Sequence, residues 1–461
     1  MIKCPRLTIA GLGGDAGKTA ISVGLCRVWR KQGHRVVPFK KGPDYIDMGW
    51  LSRGAGHPCY NVDLFMMNKE QVLSSFGMNT SVADIAVIEG NRGIYDGMDL
   101  EGSVSTAEIA KLLQSPVILL VDCTKVTRTV AALVLGCQMF DKDVPIRGVI
   151  LNKLATVRHE SIIRRSIEKH CGLPVVGAIP KLKDIAFPGR HLGLVPPQEH
   201  PGAEEAIDAA SEAASKYLDM EALRRIADAA QPLDFDFETY HKPAGTMVDI
   251  GVIRDSAFQF YYPENIDALK RAGARLIEFS ALTDSLPPSL DALYIGGGFP
   301  ETHASVLSAN TALAKAIRRA VEEGLPVYAE CGGLMYLAEE LILEGIRYPM
   351  AGIFPIVIGV NKKPQGHGYT VLKVEKANPF FAPGQMLHGH EFHYSHVVSM
   401  AGKSGVFFAF KMTKGEGIMN GRDGLCFRNV LATYTHLHAL GSKEWTNGLI
   451  NAAKAHKEHG L

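Results

Sequence analysis

A glycine-rich segment near the N-terminus has the residues of a phosphate-binding loop. The sequence GLGGDAGKT, residues 11–19, lies between an apolar run and a helical pattern. In such loops backbone N–H groups hold phosphates, the lysine neutralises their charge, and the threonine hydroxyl binds Mg²⁺. Gly11 and Gly17 are one position further apart than in the common GxxxxGK[ST] pattern. A glycine turn without function is the alternative, and the GKT triplet between strand and helix patterns argues against it.

Four acidic residues follow two later apolar runs, in KKGPDYID (residues 40–47) and EGNRGIYDG (residues 89–97). They are Asp44, Asp47, Glu89 and Asp96. Ligands of a doubly wound sheet bind at the carboxyl ends of its strands, so we expect these acids to face the same crevice as the loop. We predict that Thr19, Asp44 and Glu89 bind Mg²⁺, while the other two acids order their loops or orient substrate. Any one of these acids alone is equally a turn residue or a solvated charge.

The nucleotide-binding prediction extends beyond the loop to two residues at the ends of later apolar runs. Lys40 would add a cation beside the phosphates, and Asn152 is a candidate for contact with the adenine edge. The predicted nucleotide-binding residues are Gly13, Gly14, Asp15, Ala16, Gly17, Lys18, Thr19, Lys40 and Asn152.

A cysteine stands between a strand pattern and a helical pattern in AECGG, residues 329–333. A tight turn at such a junction exposes a nucleophile at the end of a sheet, and a helix N-terminus lowers the pKa of a thiol. A buried inert cysteine is the ordinary alternative, but the flanking glycines favour Cys331 as a nucleophile. The glycines at 296–298 would supply an oxyanion N–H together with Gly332.

A cysteine nucleophile needs a base, and TYTHLH, residues 433–438, offers one. We predict His436 as that base. In a strand, His436 and His438 would face the same side, so a metal-binding pair is a second interpretation, although no third ligand is evident. A further histidine cluster in LHGHEFHYSH, residues 387–396, is open to three interpretations: a metal cluster, substrate contacts or ordinary packing.

The elements that would position these residues form two blocks of alternating strand and helix patterns. Continuous apolar runs separated by helical stretches indicate parallel sheets covered on both faces. Between the blocks lies an Ala- and Glu-rich helical stretch followed by an irregular segment. We predict two doubly wound α/β domains, at 1–190 and 248–461, joined by a helical connector and linker at 191–247.

Composition excludes several classes of protein. The chain has 461 residues, of which 46% are hydrophobic and 21% charged, which argues against a disordered, collagen-like or coiled-coil protein. A net charge of +1 gives no support for a nucleic-acid or membrane partner. The eight cysteines are scattered without a CxxC pair, and no signal peptide or membrane span is evident. We expect reduced thiols and a cytoplasmic protein.

In their order and combination, the motifs resemble those of the cobyrinate a,c-diamide synthase family, over nearly the whole chain. This family includes hydrogenobyrinate and Ni-sirohydrochlorin a,c-diamide synthases. The motifs that carry the resemblance are GLGGDAGKT, KKGPDYID, EGNRGIYDG, GGGFPE, AECGG, GHEFHYSH and TYTHLH.

The resemblance implies a dethiobiotin-synthetase-like P-loop NTPase domain followed by a class I glutamine amidotransferase domain. It implies ATP and Mg²⁺ at Lys18 and Thr19, and a synthetase centre at Asp44, Asp47, Glu89 and Asp96. It also implies a glutaminase with Cys331 as nucleophile and His436 as base. The expected reaction is amidation of the a- and c-side-chain carboxylates of cobyrinate or hydrogenobyrinate, through an acyl phosphate, with ammonia from glutamine. Glutamine and a polycarboxylate tetrapyrrole are then the expected partners, with a homodimer as a further possibility.

The sequence departs from the family pattern in three places. Ala20 replaces a second threonine of the loop. His438 stands where class I amidotransferases carry a glutamate, so the third member of the catalytic triad is open. EGNRG differs from the EGVMGLYDG-like form and resembles relatives that amidate sirohydrochlorin or siroheme, with Arg92 as a candidate for contact with a substrate carboxylate.

Three alternatives to the leading hypothesis remain, of which the third is a degenerate scaffold with an inactive synthetase site. The first is the same amidation on sirohydrochlorin, Ni-sirohydrochlorin or siroheme. The second, from a different class, is a P-loop switch ATPase of the partitioning type, which the first block alone permits. AECGG and TYTHLH would have no purpose in such a switch.

Overall fold

The structure, a computed structural model, describes residues 1–182, 189–190, 193–235 and 247–458. Two compact units divide the chain, Met1–Glu238 and Thr239–Leu461. The domain bounds predicted from the sequence lie partly outside the described residues, because the predicted linker includes 236–246. Each unit is described separately below.

The first unit is built on a seven-stranded sheet in which every pair of neighbouring strands is parallel. Its strand order is β3-β2-β4-β1-β5-β6-β7. The strands are β1 (Arg6–Gly11), β2 (Val36–Lys41), β3 (Tyr60–Val62), β4 (Ile85–Gly93), β5 (Val117–Asp122), β6 (Ile146–Leu154) and β7 (Val175–Pro180). A short hairpin follows, formed by β8 (Gly189–Arg190) and β9 (Gly193–Leu194).

Helices cover both faces of this sheet, because the strands are apolar on both sides. Alternate residues of β1 belong to two different buried clusters: Ile9 packs with α1 and α2, whereas Ala10 packs with α4 and α5. The parallel sheet covered on both faces, predicted from the apolar runs, is confirmed. The helices are α1 (Lys18–Lys31), α2 (Ile46–Ala55), α3 (Lys69–Thr80), α4 (Thr106–Leu112), α5 (Thr129–Phe140), α6 (Val157–Cys171), α7 (Ala203–Tyr217) and α8 (Met220–Asp228).

The last two helices, α7 and α8, lie in the stretch predicted as a connector, and they pack on the first unit. Ile207 and Leu223 are fully buried in the same cluster as α1. Helix α7 runs so close to α1 that a Cβ atom on Gly24 would meet the carbonyl oxygen of Ala210 at 2.5 Å. This close approach explains why the connector is rich in alanine: small residues allow two helix backbones to come together.

The second unit contains a ten-stranded sheet with order β11-β10-β12-β13-β22-β21-β20-β17-β18-β23. The five strands from β11 to β22 are parallel to one another, which is the arrangement predicted for this block. Helices α9 and α13 pack on one face of this part, and α10, α11 and α12 pack on the other. These strands are β10 (Val248–Ile253), β11 (Ala274–Phe279), β12 (Ala292–Ile295), β13 (Val327–Glu330) and β22 (Val430–Thr433). The helices are α9 (Pro263–Arg271), α10 (Ala304–Ala309), α11 (Thr311–Glu322), α12 (Gly332–Leu337) and α13 (Lys443–Glu458).

The same sheet continues as an antiparallel extension that the sequence did not predict. A smaller four-stranded sheet, ordered β15-β14-β16-β19, accompanies it. The additional strands are β14 (Glu340–Leu343), β15 (Ile346–Pro349), β16 (Ile356–Val360), β17 (Gly366–Val374), β18 (Met386–His393), β19 (Ser395–Met400), β20 (Phe407–Lys414), β21 (Arg422–Phe427) and β23 (His436–Leu437). The pairing of β23 with β18 brings the histidine-rich segment beside TYTHLH.

Two observations bear on the predictions from composition. All eight cysteines are free thiols. In the part of the chain that the structure describes, no helix is both long enough and apolar enough to cross a membrane.

Candidate active sites

The glycine loop joins β1 to α1, and α1 begins at Lys18 as predicted. Gly17 adopts a left-handed conformation with φ of 93°, and a Cβ atom there would lie 2.8 Å from the side-chain nitrogen of Asn152. Gly13 and Gly14 face open space. The Lys18 ammonium donates to the carbonyl oxygens of Gly13 (2.8 Å) and Arg92 (2.9 Å). The loop therefore encloses its lysine and leaves its glycine backbone accessible, as a phosphate site requires.

The ends of β2 and β4 place a buried ion-pair network beside the loop. Lys40 and Glu89 are adjacent in the parallel register, and their charged atoms are 2.6 Å apart. Lys40 also contacts Asp47 at 2.7 Å, and the Thr19 hydroxyl donates to Glu89 at 2.9 Å. Burial by itself lowers the pKa of Lys40, but the neighbouring carboxylates outweigh it and raise that pKa well above its ordinary value. The sequence prediction that these residues share one crevice with the loop thus agrees with the geometry.

Glu89 has the features of a metal ligand. It is fully buried, and its second carboxylate oxygen has no hydrogen-bond partner. A buried carboxylate oxygen without a partner is costly, and a hard cation or its bound water would satisfy it. The Thr19 hydroxyl, the second predicted ligand, donates a hydrogen bond to the other oxygen of the same carboxylate. The residues therefore fit Mg²⁺, although the described residues contain no ready-made group of three or more acidic, histidine or cysteine ligands.

Asp44 and Asp96 have local contacts of different kinds. Asp44 accepts a hydrogen bond from the backbone N–H of Asp47 at 2.9 Å, and burial together with the Asp47 charge raises the pKa of Asp44 to about 7. Asp96 is exposed and accepts from the N–H of Gly93 at 2.7 Å. Asp96 therefore orders the loop after β4, which was one of the two roles expected for it.

Asn152 and its neighbour Lys153 brace the glycine loop from the end of β6. The Asn152 amide donates to the Ala16 carbonyl at 2.8 Å, and its oxygen accepts from the Lys153 backbone N–H at 2.9 Å. The Lys153 ammonium contacts Asp122 at 2.7 Å and the Asp15 carbonyl at 3.2 Å. Both the nitrogen and the oxygen of the Asn152 side-chain amide are therefore hydrogen-bonded to protein groups.

A cavity of about 250 Å³ opens beside this brace. Its walls are largely apolar, which suits the flat face of a nucleotide base. As nucleotide-binding residues the sequence analysis named only Gly17 and Asn152 among its lining; the others either follow a motif directly, as Ala20 and Lys153 do, or come from segments without any motif. They are Ala20, Ile21, Lys153, Ile179, Pro180, Lys181, Leu182, Ala210, Ala213 and Ala214.

In the second unit, Cys331 occupies a strained turn between β13 and α12. Its φ is 48° and ψ is −100°, a conformation that L-residues rarely adopt. The turn is held by the Cys331 N–H, which donates to the Thr433 carbonyl at 2.7 Å. Such strain at a strand-to-helix junction is typical of a nucleophile elbow.

The thiolate form expected for Cys331 is not favoured in the protein without substrate. Burial and the nearby carboxylate of Glu301 raise the pKa of the Cys331 thiol, and α12 is only six residues long. The Gly332 N–H at the start of α12 lowers this pKa, as expected, but burial outweighs it and the net shift is upward. The thiol is 6% exposed, and the lost hydration of a thiolate outweighs the partial charge of a short helix.

The glycines after β12 close around this turn. A Cβ atom on Gly332 would lie 3.0 Å from the Gly298 nitrogen, and one on Gly297 would lie 2.6 Å from Cε1 of His436. Bulkier residues would therefore collide with the elbow or with the imidazole. One glycine loop thus borders both Cys331 and His436, which supports the predicted pairing of nucleophile, base and oxyanion N–H groups.

Glu330 completes the arrangement, and the sequence analysis did not identify it. The Nδ1 atom of His436 lies 3.2 Å from a carboxylate oxygen of Glu330. The other oxygen accepts from the Leu437 N–H at 3.3 Å, and the Tyr294 hydroxyl donates to the first at 3.4 Å. A carboxylate only accepts, so this contact places the proton on Nδ1 and leaves Nε2 as the basic nitrogen.

The other histidines pack or make hydrogen bonds around this centre. His390 stacks on His436 with ring centroids 5.0 Å apart, and the Tyr262 hydroxyl is 3.0 Å from its Nδ1 atom. His393 stacks on Tyr434 at 3.7 Å. His438 lies 3.6 Å from Glu264. Of the interpretations left open for these histidines, the geometry supports packing.

Comparison with known proteins gives the two units their class. Residues 7–195 match the family model described as the CobQ/CobB/MinD/ParA nucleotide binding domain. Residues 249–444 match the model described as the CobB/CobQ-like glutamine amidotransferase domain. The fold and the two sites thus define a two-domain enzyme in which a nucleotide-binding domain is joined to a glutamine amidotransferase domain.

Relatives that match over almost the full length give the family. The cobyrinate a,c-diamide synthase of Magnetococcus marinus is 43% identical over 96% of this chain and 96% of its own length. Those of Archaeoglobus fulgidus and Caldanaerobacter subterraneus are 40% and 39% identical over 98% and 96% of both chains. The chain belongs to the cobyrinate a,c-diamide synthase family and is a glutamine-hydrolysing ligase.

Proposed function

We propose that this enzyme uses ATP and glutamine to amidate the a- and c-side-chain carboxylates of cobyrinate or hydrogenobyrinate. The observation that carries the proposal is the presence of two built sites in one chain. One is a GKT loop above the buried Lys40–Glu89 pair, and the other is a strained Cys331 beside a His436–Glu330 pair. The names of the relatives supply the substrate.

The first site supplies what activation of a carboxylate requires. A carboxylate is a poor electrophile, and transfer of the γ-phosphoryl group of ATP converts it to an acyl phosphate. Phosphoryl transfer depends chiefly on positioning and on neutralising charge. Lys18 and the glycine N–H groups would hold the phosphates, and the Lys40–Asp47 contact would fix the loop that faces the substrate. Thr19 and Glu89, with Asp44, would hold Mg²⁺, which neutralises developing charge on the phosphates when bound.

The second site supplies ammonia. The Cys331 sulfur attacks the side-chain carbonyl carbon of glutamine, while Nε2 of His436 takes the thiol proton and passes it to the leaving ammonia. The N–H groups of Gly298 and Gly332 would stabilise the tetrahedral oxyanion. Water then hydrolyses the thioester and releases glutamate. Because burial raises the pKa of the Cys331 thiol, the attack depends on a base such as His436 to accept the thiol proton.

Product masses from a panel of tetrapyrroles test this function. With ATP and glutamine, we expect cobyrinate or hydrogenobyrinate to lose about one mass unit for each carboxylate converted to an amide, and two such conversions are expected. Sirohydrochlorin, Ni-sirohydrochlorin and siroheme serve as competing substrates, because the EGNRG segment resembles relatives that amidate them. Amidation of these macrocycles alone would refute the cobyrinate assignment. Amidation of none would refute the proposed function.

Glu330 should act as a positioning residue for His436. We expect Glu330→Gln to lower kcat for glutamine hydrolysis by about 10²-fold or more, since the neutral amide no longer fixes the Nδ1 proton. KM for glutamine and amidation with added ammonia should stay unchanged. Steady-state assays with each nitrogen source measure both quantities.

The chain offers a matched control for this prediction. Glu264 is also buried and also lies beside a histidine of TYTHLH, His438. Glu264→Gln should leave kcat for glutamine hydrolysis near the parental value. Equal losses in both variants would show that any buried glutamate in this unit matters only for folding, and the positioning role of Glu330 would be rejected.

A further inference from the structure

The turn after β2 packs against the last residues of β4. Gly42 has a left-handed φ of 94°, and a Cβ atom there would lie 2.9 Å from the side-chain nitrogen of Asn91. The Gly42 carbonyl also accepts from the Asn61 amide at 2.7 Å, at the end of β3. Three neighbouring strand ends are therefore locked together, and the residues before and after these contacts, Lys41 and Arg92, are held near each other.

Lys41 is nearly buried and has no counter-ion among the described residues. The residue is 5% exposed, its Nζ atom is not one of the fully buried polar atoms, and no hydrogen bond or ion pair joins it to another described residue. Burial lowers the pKa of Lys41, and the positive charge of Arg92 lowers it further, while Asp63 opposes this. An ammonium that keeps contact with solvent and lacks a protein counter-ion is available to an anionic ligand, which would supply the missing charge.

Arg92 is held by its backbone while its side chain is exposed. Its φ is 50°, and its carbonyl accepts the Lys18 ammonium. The residues on both sides are fixed, because the Asn91 N–H donates to Thr106 at 3.1 Å and the Gly93 N–H donates to Asp96 at 2.7 Å. The guanidinium has no hydrogen bond to another described residue. A rigid backbone with an unpaired cation is typical of a preorganised anion site.

The location of this pair separates it from the phosphate site. Successive residues of a strand point to opposite faces of a sheet. Lys40 contacts Glu89 beside the glycine loop, so Lys41 points to the other face of the sheet. Lys18 and the loop already provide the cation and N–H groups for phosphates. The Lys41–Arg92 pair is therefore available for a different anion close to the reaction centre.

We propose that Lys41 and Arg92 bind a non-reacting carboxylate of the substrate and thereby place a neighbouring carboxylate for activation. This inference rests on the proposed function and deepens it. A guanidinium matches a carboxylate with two parallel hydrogen bonds, and the ammonium adds a point charge. A macrocycle with several carboxylates offers a second anion at a fixed distance from the reacting one, so this pair selects polycarboxylate substrates.

Binding and kinetic measurements on four variants of the full chain test the proposal. Arg92→Met and Lys41→Met should each raise Kd and KM for the macrocycle by about tenfold or more, the loss expected for a charge-assisted contact. Arg92→Lys should fall between Arg92→Met and the parent. KM for ATP and glutamine hydrolysis should not change. Arg147→Met, an exposed arginine at the opposite end of the same sheet, serves as the control.

Thermal unfolding provides a second readout for Lys41. Because the ammonium has no partner among the described residues, Lys41→Met should leave Tm unchanged or raise it while weakening macrocycle binding. A lower Tm together with unchanged binding would show that Lys41 is structural and would overturn the proposal. An increase in KM for ATP in place of KM for the macrocycle would assign the pair to phosphate and also overturn it. Failure of the parent chain to bind any macrocycle would instead refute the proposed function itself.

Discussion

Replacing Cys331 with alanine should abolish glutamine-dependent amidation, by about 10³-fold or more, while amidation with added ammonia continues. The reason is chemical: without the sulfur no thioester forms, and the remaining groups cannot release ammonia from an amide. The first unit does not need Cys331, since free ammonia attacks an activated carboxylate directly. The mass of the product formed with glutamine and with ammonia measures the loss of the first activity and the retention of the second.

Cys426→Ala is the matched control for the cysteine. Cys426 is the other cysteine of the second unit; it is fully buried and lies in β21, where its sulfur contacts a backbone carbonyl. Its replacement removes a similar volume without touching the elbow, so both nitrogen sources should remain effective. Loss of glutamine-dependent activity in Cys426→Ala as well would assign the effect to packing. Survival of glutamine-dependent activity in Cys331→Ala would exclude Cys331 as the nucleophile.

Replacing Glu89 with glutamine should remove macrocycle-stimulated ATP hydrolysis by about 10²-fold or more, while glutamine hydrolysis persists. Glu89 carries a buried charge that pairs with Lys40 at 2.6 Å and receives the Thr19 hydroxyl. The neutral glutamine side chain at position 89 removes one of the carboxylates that pair with Lys40. It also weakens a contact of Mg²⁺ with the oxygen of Glu89 that has no hydrogen-bond partner. Phosphate release in the presence of the macrocycle measures the loss.

Stability and activity must be separated for this variant. Breaking a buried ion pair costs about 3–5 kcal/mol, so a thermal unfolding curve should accompany the assay. Glu160→Gln, in a partly exposed i,i+4 pair on α6, is a control in the same unit and should retain ATP hydrolysis. A folded Glu89→Gln protein with full ATP hydrolysis would remove Glu89 from the synthetase site. The synthetase site would then work without the Glu89 carboxylate.

Local patterns were sufficient for most elements of the parallel sheets. The apolar run before the glycine loop became β1, and the helical pattern after the loop became α1, Lys18–Lys31. These elements are predictable because a buried parallel strand is apolar throughout and a glycine turn defines the helix start. The antiparallel extension of the large sheet and the four-stranded sheet were missed, because their strands alternate irregularly between apolar and polar residues.

The site residues also fall into two groups, those that local sequence patterns identify and those that only the tertiary contacts identify. Lys18, Glu89 and Cys331 were named from the sequence, since a strand end followed by glycines is visible locally. His436 was named because a cysteine nucleophile needs a base. Glu330 was not named, although it directly precedes the cysteine. Its partner His436 lies 106 positions away, and only the parallel pairing of β13 with β22 brings the two together. A signal existed in hindsight: both residues follow strands that end at the same edge of one sheet.

The sequence by itself determined the chemistry that this protein carries: a phosphate loop, strand-end carboxylates, and a cysteine with a histidine base. Only the tertiary structure decided which of these groups meet. It paired Lys40 with Glu89 and gave His436 a carboxylate partner. It also buried the Cys331 thiol, which raises the pKa of that thiol, and it left the nearly buried Lys41 without a carboxylate partner among the described residues. The physical reason is that residue type and spacing fix local conformation, whereas contacts, burial and charge environment depend on the order and register of strands far apart in the chain.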